Sequence, residues 1–286
     1  MKKYTKITKE LIDKVVLLNK NGHSYSEIGK ILELSSVRGI QNFIRKNKIK
    51  FVNNSSLITI RDKKYKSQDD YFDIIDNHKK AYILGFIYSD GCVYDNKRFG
   101  FCISEQDSEI LDFIRQEVCP NKPYKVINHL NKKPQVVLRI GNKRIVKTLI
   151  EKWGVVPNKT KNPKLVFPKI EDSFIWSFLR GIVDGDGHIR IRTTKSFYVE
   201  ICMSDLNFLS DLQKFLDKNN MKSKIKTIVG KTCNYYRIYI PNSITFLNKL
   251  YENKDFFCLK RKLHKYLIIH DNIELTSSIT KGEEVV

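Results

Sequence analysis

ILGFIYSDG at residues 83–91 and LRGIVDGDG at residues 179–187 are one nine-residue pattern written twice. Each is an apolar run with glycine at its third position, and each ends in Asp-Gly. Read as the last turns of a helix, the pattern puts Gly85 and Ser89, or Gly181 and Gly185, four residues apart on a face with almost no side chains. Two such faces let a pair of helices pack with their backbones unusually close. The closing glycines, Gly91 and Gly187, suit the left-handed position after a helix. Asp90 and Asp186 then lie at neighbouring helix ends, where they repel each other and meet the negative end of the helix dipole. That is costly unless a cation binds, so the two stretches predict a metal site at Asp90 and Asp186, with Gly91 and Gly187 beside them.

From Tyr71 onward the chain runs through one plan twice. After Asp90, Cys92 to Tyr94 and Arg98 to Ser104 read as a hairpin turning at Asp95-Asn96, and His188 to Thr194 and Tyr198 to Met203 do the same after Asp186. Matched helices follow at Asp107 to Val118 and Asp205 to Asn219. Strands come next, at Tyr124 to Leu130 and Gln135 to Ile140, then at Lys224 to Val229 and Asn234 to Ile240. Asn142 and Asn242 open a last pair of helices, Lys143 to Trp153 and Ser243 to Glu252. The expected fold class is α+β: two pseudo-symmetric αββαββα halves, residues 71–168 and 169–271, with the Asp-bearing helices at the centre.

Strand alternation assigns the sheet faces. Val136, Leu138 and Ile140, with Tyr236, Ile238 and Ile240, point to the helices, and so do Ile189 and Ile191. The opposite face carries Gln135, Arg139, Arg190, Arg192, Tyr235, Arg237 and Tyr239, a set suited to a DNA groove. An ordinary solvated face would carry more Asp and Glu.

Composition agrees. The 286 residues hold 52 Lys and Arg against 31 Asp and Glu, a formal net charge of +21, which points to a polyanionic partner. A bias toward Lys, Asn and Ile explains Lys over Arg but not the shortage of acids. The longest apolar run, Tyr82 to Tyr88, is too short to span a bilayer and the N-terminus has no apolar core, so a soluble, intracellular protein is expected, with no membrane partner. Six scattered cysteines without a CxxC pair support neither zinc nor disulfides, and buried reduced thiols are expected.

Residues 1–50 read as three short helices. Thr8 caps the first, Asn21-Gly22 ends it, Ser24 and Glu27 form a capping box for the second, and a turn at Glu33 to Ser35 precedes the third. Val37, Ile40, Phe43 and Ile44 mark the buried side of the third helix, leaving Arg38, Gln41, Asn42 and Arg45 exposed. The order resembles a helix-turn-helix module, and these side chains suit major-groove base edges. Residues 51–70 read as a linker, and residues 272–286 as a flexible tail.

The two motifs, with the preceding run YFDIIDNHKKAYILGF, resemble the paired motifs of LAGLIDADG homing endonucleases in their single-chain, two-motif form. The resemblance covers roughly residues 71–271. It implies a saddle that straddles double-stranded DNA at a long, specific target, as a monomer. It further implies that Asp90 and Asp186 bind a catalytic divalent ion, Mg2+ or another such as Mn2+, and that one basic residue per half lies near the cleavage centre. By position these are Lys159 and Lys260, with Lys161 and Lys262 as neighbouring alternatives. Tyr88, Ser89 and Arg180 depart from the motif, and Arg180 can face away from the helix contact. Asp184 matches the motif's first acid and is assigned to packing. The chemistry fits independently, because phosphodiester hydrolysis needs an activated water and neutralisation of charge on phosphorus and the leaving oxygen. The competing reading is a relative that binds DNA, or assists intron RNA splicing, without cutting. Paired acids beside phosphates oppose mere binding.

Overall fold

The computed structural model describes residues 8–33, 37–46, 48–49, 65–129, 132–193, 196–230, 234–252 and 257–281. The chain divides into two compact units, residues 1–66 and 67–286.

The first unit holds helices α1 (Lys9–Lys20), α2 (Tyr25–Ile31) and α3 (Val37–Lys46). The Thr8 hydroxyl accepts from the Leu11 N–H at 3.3 Å, and Gly22, at φ +93°, lies just past the end of α1. Ser24 and Glu27 close a reciprocal capping box, with the Ser24 N–H donating to Glu27 Oε2 at 2.8 Å. Val15, Ile28 and Ile44 form the core, with Leu18, Tyr25, Leu32 and Ile49 packed around it. Arg38, Gln41, Asn42 and Arg45 are exposed together on α3. The side chains of Val37, Ile40 and Phe43, residues 34–36 of the expected turn and residues 51–64 of the expected linker lie outside the described residues.

The second unit begins its first half with α4 (His78–Ser89), capped by Asn77, whose side chain accepts from the Lys80 N–H at 2.9 Å. Strands β1 (Gly91–Tyr94) and β2 (Arg98–Ser104), helix α5 (Ser108–Val118), strands β3 (Lys125–His129) and β4 (Lys132–Gly141), and helix α6 (Lys143–Glu151) follow. The second half repeats this with α7 (Asp172–Asp186), β5 (Gly187–Thr193), β6 (Ser196–Met203), α8 (Leu206–Lys218), β7 (Lys224–Ile228), β8 (Tyr235–Pro241) and α9 (Ile244–Tyr251). Two antiparallel four-stranded sheets result, ordered β1-β2-β4-β3 and β5-β6-β8-β7. The registers correspond, since Gly91 pairs with Phe101 and Gly187 with Ile201. Both expected hairpins are present, and Asp95 and Asn96 adopt φ +45° and +52° at the first turn, the sign that such turns require.

One face of each sheet is covered. Phe99, Phe101, Val136, Leu138 and Ile140 are buried in the first half, and Ile189, Val199, Ile201, Ile238 and Ile240 in the second. Ile191 departs from the expected pattern at 38% exposure. Asn142 caps α6 through the Arg144 and Ile145 N–H groups, at 2.9 and 3.0 Å. In the second half the cap is Ser243, one residue later than expected, because the Asn242 side chain accepts from the Phe197 N–H at 2.9 Å and so serves β6. Helix α10 (Lys260–Lys281) continues through residues expected to form a separate tail. Of the cysteines, Cys119 is buried, whereas Cys92 and Cys102 are exposed on their strands, contrary to expectation. Among the described residues no helix is long and apolar enough to cross a membrane.

Candidate functional site

Helices α4 and α7 cross at the centre of the second unit. A Cβ on Gly85 would overlap the Phe178 carbonyl oxygen, and one on Gly181 would overlap that of Tyr82. A Cβ on Gly185 would overlap the Ser89 hydroxyl and approach Asp90 Oδ2 to 2.8 Å. The four expected interface residues are thus together, and Asp90 of one helix lies against the last turn of the other. Gly91 and Gly187 are not left-handed. Gly187 is extended at φ −83°, and both positions require glycine because a Cβ would strike the backbone of Ile87 or Val183.

The carbonyls at each helix end are satisfied by a lysine instead. Lys159 Nζ donates to Ser89 O at 2.6 Å, to Ile87 O at 3.3 Å and to Gly91 O. Lys262 Nζ donates to Asp184 O at 2.7 Å, to Gly187 O at 2.8 Å and to Val183 O. An ammonium at the negative end of each dipole offsets what Asp90 and Asp186 add there. The second lysine is Lys262, which is 4% exposed, and not Lys260, which pairs with Glu109 at 3.2 Å with its side chain 84% exposed. Helical period explains the exchange: Leu259, Lys262 and Ile269 share the buried face of the chain entering and following α10, and Lys260 is off it.

Around these lysines the acids are crowded. Asp186 lines a cavity of about 310 Å³ with Ser89, Lys159, Cys202, Ser204 and Tyr235. Removal of water by the surrounding protein, then the charge of Asp90, pushes its carboxyl up to about 6, against the pull of Lys159 and Lys262. Asp90 is raised for the same first reason, with both lysines opposing. Burial lowers Lys159 in spite of Asp186 and Asp90, and lowers Lys262 to about 8 in spite of Asp184. Asp90 thus lies beside Gly185, next to Asp186, and a lysine ammonium lies at the end of each of their helices. Among the described residues no group of three or more His, Cys, Asp or Glu gathers to hold a metal. The donor set of two carboxylates fits an ion that takes one or two protein acids and completes its shell with water and phosphate oxygens. The Gly91 and Gly187 carbonyls, counted with the metal site from the sequence, each already accept from a lysine.

The motif's departures have structural uses. The Tyr88 hydroxyl donates to Trp153 O and Val166 O, both at 2.9 Å, tying the segment that carries Lys159 to α4. Asp184 is buried and accepts from the Tyr82 hydroxyl at 2.8 Å and from the Leu259 N–H at 2.9 Å. Arg180 does not face away from the helix contact as expected: it is fully buried, with its guanidinium over the Tyr82 ring of α4 at 5.8 Å and donating to Leu250 O at 3.2 Å.

On the uncovered sheet faces lie the other expected residues. Arg139 stands over the Tyr94 ring at 5.0 Å and Arg192 over Tyr198 at 4.6 Å, with Tyr239 beside Tyr198 at 4.9 Å. Gln135 and Tyr235 complete this set, Gln135 beside Cys102 on its sheet and Tyr235 on the cavity wall. Glu200 was not foreseen: it draws Arg237 to 3.3 Å and Arg190 to 3.7 Å, orienting both guanidinium groups.

No curated protein matches the sequence. Among solved structures the chain is similar to the I-SmaMI LAGLIDADG homing endonuclease bound to cleaved DNA, at 12% identity over 73% of this chain and 94% of that one, TM-score 0.45. It is also similar to the I-LtrWI LAGLIDADG homing endonuclease bound to target DNA, at 12% identity over 72% and 94%, TM-score 0.42. A third similar structure is full-length DUF199/WhiA from Thermatoga maritima, at 16% identity over 75% and 70%, TM-score 0.43. The family model that matches describes a LAGLIDADG-like domain, over residues 173–252. Residues 173–252 thus match a LAGLIDADG-like domain, and residues 78–151 repeat the order of elements and the acid-ended helix of that stretch.

Proposed function

We propose that this chain is a site-specific DNA endonuclease that makes a double-strand break by divalent-metal-dependent hydrolysis. The observation that carries the reading is the meeting of Asp90 and Asp186 with Lys159 and Lys262 at the crossing of α4 and α7. Asp90 and Asp186 would hold Mg2+ or Mn2+, which when bound would ease deprotonation of the attacking water and supply a counter-charge for the leaving oxygen. Lys159 and Lys262 place ammonium charge beside the acids and favour the extra negative charge of the attacked phosphate. The two pseudo-equivalent acids serve one strand each. The basic and aromatic sheet faces, the first with Gln135 and Arg139 and the second with Arg190, Arg192, Tyr235, Arg237 and Tyr239, contact the duplex as a monomer. Residues 1–50 act as a second, helix-turn-helix-like DNA contact through Arg38, Gln41, Asn42 and Arg45.

Purified protein incubated with Mg2+ and a plasmid library of randomised and source-locus inserts tests this. Linear product is expected from the wild type, none from Asp90→Asn or Asp186→Asn with binding retained. Lys262→Met should lose cleavage and Lys260→Ala should keep it. Tight binding of one site without any cutting by the wild type would move the chain to the regulator or splicing-cofactor class.

A further inference from the structure

Asp107 and Asp205 occupy the same place in the two halves, just before the helix that follows each hairpin. Asp205 does what that place asks: its Oδ1 accepts from the Phe208 N–H at 3.1 Å and caps α8. Its Oδ2 accepts from the Leu165 N–H at 2.9 Å, in the segment downstream of Lys159. Asp107 makes no side-chain cap hydrogen bond to α5. Both its oxygens are taken across the halves by Arg261, with Nε and one terminal nitrogen each at 2.9 Å. A 3-10 turn over Glu105–Asp107 leads directly into α5, which leaves the Asp107 carboxylate available for a planar two-bond fork that fixes orientation as well as distance. The Asp107 side chain is 14% exposed, so the fork is shielded on one side.

Arg261 is the residue before Lys262. The same first turn is held by the Leu259 N–H on Asp184, by Lys260 on Glu109, and by Phe257 stacked on Phe113 at 4.7 Å. Lys159 is held differently, through Tyr88 and Asp205 bonds to neutral backbone groups. We propose that Asp107, through Arg261, is a positioning residue for Lys262, so that one of the two lysines is held by a charge pair between the halves and the other by side-chain bonds to backbone groups. It rests on the endonuclease reading only for its consequence: weakening the fork, by substitution or by salt, impairs one strand's cut before the other and yields nicked circles.

Competitive acylation of lysines with acetic anhydride, mapped by mass spectrometry on the full chain, tests the positioning without DNA. Asp107→Asn should raise Lys262 labelling about ten-fold, the scale of a lost charge-assisted bond, with Lys159 labelling unchanged. The charge exchange Asp107→Arg with Arg261→Asp should restore protection, which a merely structural role of Asp107 would not predict. Unchanged labelling at Lys262, or an equal rise at Lys159, overturns the proposal. On a plasmid site that the wild type cuts, Asp107→Asn should accumulate nicked circles, and linearisation in step with the wild type overturns the catalytic consequence. A wild type that cuts nothing defeats the endonuclease reading, while the labelling still decides the fork.

Discussion

Asp186 shows at the residue scale how a site can oppose its own fold. Its carboxyl is raised from the ordinary value of 3.8 to about 6, so the folded chain holds the proton more tightly than the unfolded chain does. The stability that this proton contributes is present below pH 4 and is lost as pH rises through about 6. In chelator-containing buffer, Asp186→Asn should therefore raise the thermal midpoint at pH 7.5, with the gain shrinking steadily toward pH 5. An equal gain at both pH values would show that charge crowding is not the cause. Lys262 belongs to the same scale: one residue pair along α10 separates a buried cap of α7 from an exposed ion pair at Lys260.

At the scale of elements, the α4–α7 crossing rests on missing side chains. Alanine is the better helix former by about 1 kcal/mol at an ordinary site. Here the added methyl has no room, since it meets the backbone of the opposite helix at both Gly85 and Gly181. Gly181→Ala should destabilise by about 3 kcal/mol in urea unfolding, as overpacking does where backbone must move. Stabilisation instead would mean that the helices separate freely. The sheets follow simpler rules, and their strand ends lie within three residues of those expected from the apolar alternation, because one buried face pins the register. Ile191 and Asn242 escaped that logic, one by being exposed at an inward position and the other by bonding to a strand rather than capping a helix.

The whole molecule carries its positive charge on two units. If α3 contacts phosphates with its exposed Arg38 and Arg45, replacing both by alanine should lower the slope of log K against log salt by about two. An unchanged slope would confine DNA contact to the second unit. Deleting residues 1–50 should weaken binding in the same way and leave the order of strand cuts as it was.

Sequence alone was sufficient for the duplicated plan, the facing acids, the close-packed glycines and the basic sheet faces, because each is a matter of period and spacing along the chain. Three things were left to tertiary structure. Lysines, not left-handed glycines, close α4 and α7, since only in space does a residue some seventy positions away reach the free carbonyls. Glu200 orients Arg190 and Arg237 because register sets both diagonally across from it on the neighbouring strands. Asp107 and Arg261 meet across the halves at a separation of 154 residues, where no local pattern connects them.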